Sequence, residues 1–331
     1  MERLEFVDTH TMGEPTRIII SGLPSLLGNT MMEKKEYCER NFDHIRTMAM
    51  NEPRGHRDMF GAIITSPIEI EADIGVIYMD GGGYLNMCGH GTIGLATYLV
   101  EEKLVKIKEP FTYISLDTPA GLVKVMVKVE SGNALEVSFT NVPSFVYMEN
   151  LIINMDGIGK VPLDICFAGS FFAIVKAEDL GIRVDLNNID NIIKLGVILR
   201  DKINNQYKLK HPYKTGINKV DLVEIYDKST NPKADYKNVV IFGKNQFDRS
   251  PCGTGTAAKM AKLYSIGELN INEKFIYESI TGTLFTGKIL EETKIANYTG
   301  IVPEITGRAF ITGKGILISH REDPLRYGFK L

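Results

Sequence analysis

The sequence predicts a protein of mixed α-helices and β-strands (α+β) built from two similar halves, and three observations support this fold class. The pattern Cys-Gly-x-Gly-Thr occurs at Cys88 and returns 164 positions later at Cys252. Each copy follows an apolar run of β-branched and aromatic residues, 76–79 and 239–242, which is typical of a buried strand. Each copy is followed by apolar residues at helical spacing, so each Cys is predicted to lie at a helix N-terminus.

The spacing of apolar and polar residues predicts the other elements of the first half. A charged, periodic stretch at 33–50 is predicted to be one helix, which ends before Pro53. Alternation at 122–129 and 135–139 about the turn Ser131-Gly132-Asn133 predicts a β-hairpin. An opening β element is predicted at 6–20, with a turn at 12–15. Two strands are predicted at 60–65 and 74–79, followed by a glycine-rich loop at 80–84.

The second half is predicted to contain one long helix and a run of strands. Apolar residues recur at helical spacing in 185–206, whereas 277–318 is mostly strand and turn. No Pro-rich or Ser-rich linker separates the halves, so the domain limits follow from the repeat. The predicted domains are 1–122, joined by a C-terminal tail of about 310–331, and 123–309.

Composition and charge exclude several functional classes. With 331 residues, of which 44% are apolar, the chain can bury two cores of ordinary size. The formal net charge is −3 and no basic stripe is present, so a nucleic acid is not expected as a partner. No apolar run has the roughly 18 residues of a membrane span, and residues 1–5 lack the basic start and apolar core of a signal peptide. The protein is predicted to be soluble and cytoplasmic.

The four cysteines are predicted to be individual thiols. No Cys-x-x-Cys pair is present, so neither a disulfide framework nor a zinc ribbon is indicated. Cys38 and Cys166 have no special surroundings and are predicted to be small buried hydrophobic residues. Cys88 and Cys252 differ from them, because each stands at a helix start where Ser, Thr or Asp is usual.

A thiol at a helix N-terminus faces unpaired N–H groups and the positive end of the helix dipole, which lower its pKa and favour the thiolate. The glycines that follow let the backbone approach a ligand closely, and the same N–H groups can bind a carboxylate. Two such half-sites facing one another would place a thiol on each side of a substrate carbon. One thiolate would remove the proton next to the carboxylate while the other thiol protonates the opposite face. This chemistry inverts a stereocentre and formally requires no cofactor.

Three other interpretations use the same residues. Gly89 to Gly94 fits the dinucleotide pattern G-x-G-x-x-G, with Asp117 as the acid that would bind a ribose. A metal site would use Cys88, His90 and Cys252, although no fourth ligand is visible and the spacing matches no standard zinc pattern. A duplicated amino-acid-binding module without catalysis would use both helix starts and neither thiol as a base.

The two Cys motifs resemble those of the proline racemase family. The resemblance is carried by Met87 to Thr92 and Asp248 to Thr256, and further similar segments cover essentially the whole chain: 8–17, 52–56, 80–84, 169–172 and 221–226. It implies the fold shared with diaminopimelate epimerase, in which two similar halves each wrap a β-barrel round a central helix, with the active site in the cleft between them. Family members include proline racemases, 4-hydroxyproline 2-epimerases and 3-hydroxyproline dehydratases. The dehydratases typically replace the first catalytic Cys, so Cys88 argues against dehydration.

The resemblance also implies roles for particular residues. Cys88 and Cys252 would be the acid/base pair of a cofactor-independent racemase of L- and D-proline. Asp248 would accept a hydrogen bond from the ring nitrogen, the alternative being that it caps the loop into Pro251. The residues against the substrate carboxylate and ring would be Gly89, His90, Gly253 and Thr254.

Phe60 and Phe242 match positions where proline racemases tend to carry Phe and hydroxyproline epimerases tend to carry smaller or polar residues. Two phenyl rings suit an apolar pyrrolidine ring and would leave a 4-hydroxyl group without a partner, so proline is the expected substrate and 4-hydroxyproline the alternative. Both could instead be ordinary core residues. The resemblance further implies a homodimer. No metal is expected, and no role is assigned to His10, Glu14, His56 or Asp58.

Overall fold

Strand pairing surrounds each Cys-bearing helix with strands of its own unit. The computed structural model describes residues 2–214 and 216–330. The chain forms two compact units, Met1–Phe139 with Gly307–Leu331, and Thr140–Thr306. The predicted domain limits, 1–122 with 310–331 and 123–309, remain a prediction.

The described residues form eighteen β-strands. Those of the first unit are β1 (Glu2–Thr11), β2 (Glu14–Ser21), β3 (Phe60–Thr65), β4 (Ile74–Asp80), β5 (Tyr84–Leu85), β6 (Phe111–Thr118), β7 (Gly121–Glu130) and β8 (Asn133–Thr140). Those of the second unit are β9 (Ser144–Met155), β10 (Gly159–Phe167), β11 (Phe171–Lys176), β12 (Val220–Lys228), β13 (Tyr236–Phe242), β14 (Gln246–Asp248), β15 (Lys274–Ser279), β16 (Leu284–Ile295) and β17 (Tyr298–Gly307). The last strand, β18 (Ala309–Ser319), returns to the first unit.

Five α-helices accompany these strands in the described chain. They are α1 (Met31–Asn41), α2 (Asp43–Met50), α3 (Gly89–Glu101), α4 (Ile189–Gln206) and α5 (Gly253–Ser265), with short 3-10 turns at Ala177–Leu180 and Leu186–Asn188. Of these described helices, none combines the length and the apolar character that crossing a membrane demands.

One predicted helix is two. The prediction of a single helix at 33–50 is wrong, because α1 ends at Asn41 and α2 begins at Asp43. Phe42 separates them with non-helical backbone angles, φ −131° and ψ 18°, while its N–H donates to the carbonyl of Cys38. Its ring packs edge-on against Tyr37, with 5.6 Å between ring centroids. The gain from packing this side chain outweighs helical continuity, which charge periodicity alone cannot reveal.

The two units repeat one order of strands. In the first unit the order is β18-β1-β2-β3-β4-β6-β7-β8, with β2–β3 and β4–β6 parallel and the other pairs antiparallel. In the second it is β9-β10-β11-β12-β13-β15-β16-β17, with β11–β12 and β13–β15 parallel. There β17 also pairs with β9, which closes the barrel. The predicted fold class, two similar halves with a β-barrel round a central helix, is confirmed.

The central helices are α3 and α5. Every residue of α3 from Gly89 to Val100 is buried, as expected for a helix that is surrounded on all sides. In α5 the buried set extends from Gly253 to Leu263 and includes Lys259. The other long helix, α4, packs on the opposite face of β12 and β13, where its residues join the apolar core of the second unit.

A glycine lets α4 lie close to β13. A Cβ atom on Gly196 would stand 2.8 Å from a side-chain carbon of Ile241, closer than real Cβ contacts allow. We therefore expect Gly196→Leu to lower the free energy of unfolding by about 1–3 kcal/mol through overpacking, although Leu favours a helix over Gly by about 1 kcal/mol. Urea unfolding followed by circular dichroism measures the change. Lys194→Leu, on the exposed side of α4, is the control, and equal stability of the two variants would contradict the packing argument.

Candidate active site

Both motif cysteines cap their helices with sulfur. The Sγ atom of Cys88 accepts a hydrogen bond from the N–H of Gly91 at 3.4 Å, and that of Cys252 accepts one from Gly255 at the same distance. The structure describes all four cysteines and none forms a disulfide. Cys88 and Cys252 remain 8% and 7% exposed, whereas Cys38 and Cys166 are fully enclosed. The predicted helix-start positions of both motif thiols are confirmed.

The first half-site joins Cys88, His90 and Phe60. The Cys88 Sγ atom lies 3.4 Å from Nδ1 and 3.6 Å from Nε2 of His90, and the carbonyl of His90 accepts a hydrogen bond from the Thr11 hydroxyl at 2.7 Å. The Phe60 ring meets the imidazole edge-on, with centroids 4.5 Å apart. Burial lowers the pKa of His90 to about 3. The imidazole beside this thiol is therefore neutral near pH 7, with one nitrogen that donates and one that accepts, and the tautomer decides which is which.

The second half-site joins Cys252, Thr254 and Asp248. Thr254 takes the place of His90, with its hydroxyl 3.6 Å from the Cys252 Sγ atom. Asp248 Oδ1 accepts hydrogen bonds from the N–H of Ser250 at 2.8 Å and from its hydroxyl at 2.7 Å. The Ser250 hydroxyl in turn accepts the N–H of Cys252 at 3.1 Å. Asp248 thus caps the loop before α5 whatever else it binds, and Ser250 links it to the backbone of the cysteine.

The helix start contributes in the expected direction at Cys252, but the expectation of a lowered thiol pKa overall is wrong for this residue. Burial, and next the charge of Asp248, raise the pKa of Cys252 well above its usual 9.0, and the hydrogen bonds from Thr254 and Gly255 offset only part of this. Burial also raises the pKa of Asp248 to about 6, despite the hydrogen bonds from Ser250 that favour the carboxylate. Desolvation outweighs the helix terminus because both groups are enclosed.

Cys252 adopts a strained backbone. Its φ is +59° and its ψ is 111°, whereas Cys88 at the equivalent position has φ −145° and ψ 120°. A non-glycine residue with such angles costs of order 1–3 kcal/mol and persists only where its surroundings fix it. The Ser250 hydroxyl and the first turn of α5 supply that restraint. Such strain is typical of residues whose position serves a function, and it makes Cys252 a candidate functional residue.

Glycine in the first helical turn brings each thiol against its barrel. A Cβ atom on Gly91 would stand 2.9 Å from the Tyr78 ring, and one on Gly255 would stand 2.7 Å from Oε2 of Glu224. The sequence analysis predicted that the glycines after each Cys let the backbone approach a ligand closely. The structure shows that Gly91 and Gly255 permit close approach to the protein's own side chains.

The remaining predicted site residues lie nearby along the chain. Gly89 and Gly253 are the first residues of α3 and α5, and both are buried. Phe242 ends β13 opposite Gln246, in the hairpin whose second strand carries Asp248. Asp248 pairs with Val240 in that hairpin.

Asp117, the residue that would bind a ribose in the dinucleotide interpretation, forms hydrogen bonds within the protein. Asp117 Oδ2 accepts the N–H groups of Ile68 and Glu69 at 2.7 and 2.9 Å, so this carboxylate holds a turn. In the described residues no group of three or more His, Cys, Asp or Glu side chains could hold a metal ion.

Sequence reasoning missed three residues that contribute to these half-sites. Ser250 could have been found, because Asp-x-Ser before Pro is a common turn signal. Tyr78 and Glu224 could not, since only the register of the folded strands places each side chain against its glycine. His10, for which no role was predicted, accepts the N–H of Gly13 through Nδ1 at 3.1 Å and stabilises the β1–β2 turn.

Comparison with known proteins shows one family over the whole chain. The profile of the family described as "Proline racemase" matches residues 6–330. A protein of Acetoanaerobium sticklandii named proline racemase is 56% identical over 98% of this chain and 97% of its own length. A 4-hydroxyproline 2-epimerase of Streptosporangium roseum is 43% identical over 98% of this chain and 97% of its own.

A solved structure has the same fold. The hydroxyproline epimerase of Agrobacterium vitis, determined with bound trans-4-OH-L-proline, superposes with a TM-score of 0.91 at 28% identity, over 100% of this chain and 95% of that one. The likeness extends through both units.

The His90 imidazole gives a measurable test of the first half-site. Because burial lowers its pKa from the ordinary 6.5 to about 3, we expect its NMR signals to keep neutral shifts from pH 8 down to pH 4. Between about pH 6.5 and about pH 3 the unfolded chain binds a proton that the folded chain does not, so this residue's contribution to stability falls as the pH falls below about 6.5. Long-range ¹H–¹⁵N spectra, assigned with His90→Gln, measure the titration. A midpoint near 6.5 would contradict the enclosed site.

Proposed function

The chain belongs to the proline racemase family, and from that premise we propose that it interconverts L- and D-proline, with Cys88 and Cys252 as the acid and base. One observation carries the assignment of residues. Each unit holds a thiol as the cap of its central helix, with the same 3.4 Å hydrogen bond from the third helical N–H group. A duplicated thiol with duplicated geometry suits a reaction in which one carbon loses a proton on one face and gains one on the other.

The proposed reaction moves two protons. One sulfur, as thiolate, takes the Cα proton of proline, and the other, as thiol, donates its proton to the opposite face. For the reverse substrate the two sulfurs exchange roles. Charge that develops on the substrate carboxylate is stabilised by N–H groups at the helix starts, where Gly89 and Gly253 leave the backbone uncovered. The mechanism requires both thiols to reach the same carbon.

Asp248 would couple substrate binding to the state of Cys252. The ring nitrogen of proline is a cationic secondary amine, and the proposed contact places its charge at the Asp248 carboxylate. That cation would compensate the carboxylate that raises the pKa of Cys252. Binding would therefore ease formation of the thiolate at the moment when a base is needed. In this role Asp248 keeps its loop contacts to Ser250 through Oδ1.

The substrate proposal depends on two phenyl rings. Phe60 lies against His90, which itself contacts the Cys88 sulfur, so this ring borders the first half-site. Phe242 belongs to the hairpin that presents Asp248. An apolar ring suits such neighbours, whereas a 4-hydroxyl group without a partner would lose about 1–3 kcal/mol. The alternative, a 4-hydroxyproline 2-epimerase, uses the same thiols.

We further propose that the enzyme works without a cofactor, in the cytoplasm, as a homodimer. Proton transfer between two thiols and a carbon needs no redox or Schiff-base chemistry. Two catalytic thiols need a reducing environment, and none of the four cysteines forms a disulfide. The homodimer is an expectation from family resemblance, which light scattering on the purified protein tests.

Replacing either proposed catalytic thiol tests the mechanism. We expect Cys88→Ser and Cys252→Ser each to lower the rate of proline racemisation by at least about 10²–10⁴-fold, because a hydroxyl is a far weaker base than a thiolate at neutral pH. Polarimetry measures the rate, and circular dichroism checks the fold. Cys38→Ala, at a buried cysteine outside both half-sites, should retain activity. Activity comparable to the unmodified protein in either serine variant would refute the two-thiol mechanism.

Exchange in heavy water separates the enzyme from its alternatives. Incubation with L-proline should replace the Cα proton by deuterium, and kcat/KM should favour proline over trans-4-hydroxy-L-proline by roughly tenfold or more, which corresponds to about 1.4 kcal/mol. Proton NMR on the two substrates gives both numbers. A preference for the hydroxylated substrate would assign the chain to the epimerases. Saturable binding of proline without exchange would instead indicate a non-catalytic amino-acid-binding protein.

A further inference from the structure

The two units differ at the position directly behind the capping glycine. In the first unit the β3–β4 register pairs Ala62 with Tyr78, and the Tyr78 ring backs Gly91. In the second the equivalent β12–β13 register pairs Glu224 with Val240, and both side chains back Gly255. Tyr78 and Val240 thus correspond, and Glu224 occupies the place of Ala62. A carboxyl group backs the second capping glycine, where a phenol ring backs the first.

Strand alternation points Glu224 at the central helix. Its neighbours Val223 and Ile225 belong to the apolar core on the α4 side, so Glu224 faces α5. It is fully buried, and Oε1 accepts a hydrogen bond from the Tyr277 hydroxyl at 2.6 Å. Oε2 has no hydrogen-bond partner among the described residues and lies against Gly255. Gly255 is the residue whose N–H donates to the Cys252 sulfur.

We propose that Glu224 is a positioning residue for Cys252, which holds the first turn of α5 from behind Gly255 and, through its own charge, makes the second thiol respond to pH differently from the first. The proposal deepens the proposed function, since it rests on Cys252 acting there as acid and base. Glu224 is not a catalytic residue in this scheme, because Gly255 separates it from the sulfur.

Several titratable groups face Glu224 from the surrounding elements. Burial raises the pKa of Glu224 to about 8, and the Tyr277 hydrogen bond and the Lys259 charge offset part of that rise. Burial also lowers the pKa of Lys259, on α5, to about 8. Its ammonium group lies 3.2 Å from the centroid of the Tyr226 ring and 4.7 Å from that of Tyr236. The Cys166 thiol on β10, the Tyr226 phenol on β12 and the Cys252 thiol also interact electrostatically with Glu224. Asp164 and Lys262 act on Cys166, and Asp248 acts on Cys252.

The sign of the coupling follows from these charges. Below about pH 8 Glu224 is a neutral carboxylic acid. Above it the carboxylate forms, and its charge raises the pKa of Cys252. Asp248 has the same effect but ionises near pH 6, so the two contributions fall in different pH ranges. Behind Gly91 stands the Tyr78 ring and not a carboxyl group, so Cys88 serves as the comparison thiol.

Alkylation of the two thiols in one protein tests the proposal without substrate. Iodoacetamide reacts with the thiolate, so peptide mass spectrometry of quenched samples gives separate rates for Cys88 and Cys252. For Glu224→Gln, a neutral analogue of similar shape, we expect the Cys252 rate to equal the wild-type rate at pH 6.5. At pH 9.5 it should exceed the wild-type rate roughly threefold to tenfold, which corresponds to half to one pKa unit. The Cys88 rate should not change at either pH.

Two further variants keep the test decisive. Tyr277→Phe removes the hydrogen bond that favours the Glu224 carboxylate, so this carboxylate should form at a higher pH than in the wild-type protein. The pH at which Glu224 begins to slow the alkylation of Cys252 should therefore move upward. This variant tests the proposal even if Glu224→Gln fails to fold. The Glu224→Gln comparison repeated in a Lys259→Met background removes the contribution of the ammonium group. A ratio of variant to wild-type rates that is constant from pH 6.5 to 9.5, or an equal change at Cys88, would overturn the proposal. If the protein does not racemise proline, the alkylation rates can still be measured, so failure of the proposed function is distinguished from failure of this proposal.

Discussion

The structure depends on how closely the start of each central helix approaches the barrel that surrounds it. At Gly91 and Gly255 a side chain would collide with Tyr78 or Glu224, and Gly94 admits the Thr9 hydroxyl to within 2.6 Å of where a Cβ would stand. Without these glycines α3 and α5 would have to shift, and the sulfur caps would shift with them. The glycines of the motif therefore fix where the thiols are as much as they expose backbone N–H groups to an anion.

Enclosure then sets the chemistry of those thiols. A helix N-terminus favours a thiolate by a modest amount, whereas removal from water disfavours it by more, and a nearby carboxylate adds to the cost. Cys252 is on the unfavourable side of this balance, next to Asp248, while Cys88 has a neutral imidazole as its neighbour. The two half-sites share a sulfur cap on a helix start, and they differ in the backbone angles of the cysteine and in the side chains beside it. The proposed reaction needs a base and an acid at once, and the unequal surroundings of the two thiols would favour one of each.

Much of this arrangement could be predicted from the sequence, because the informative signals are local. The Cys-Gly-x-Gly-Thr repeat located both helix starts, and alternation located the β7–β8 hairpin to within a residue or two. What failed depended on contacts distant in sequence. The break at Phe42 follows from packing into a core formed by other elements. The pKa of Cys252 depends on burial that no local pattern reports, and Glu224 lies 31 positions from the glycine it backs.

The pairing of the first strand with the last has a consequence for how the chain is made. β1 pairs with β18, with Glu2 opposite Ser319, so the sheet of the first unit cannot be completed until residue 319 has been synthesised. The second unit is one continuous segment, Thr140–Thr306, and has all its strands beforehand. Vectorial synthesis therefore reverses the usual order, in which the N-terminal part folds first. Until β18 is available, β1 presents an unpaired strand edge on that side.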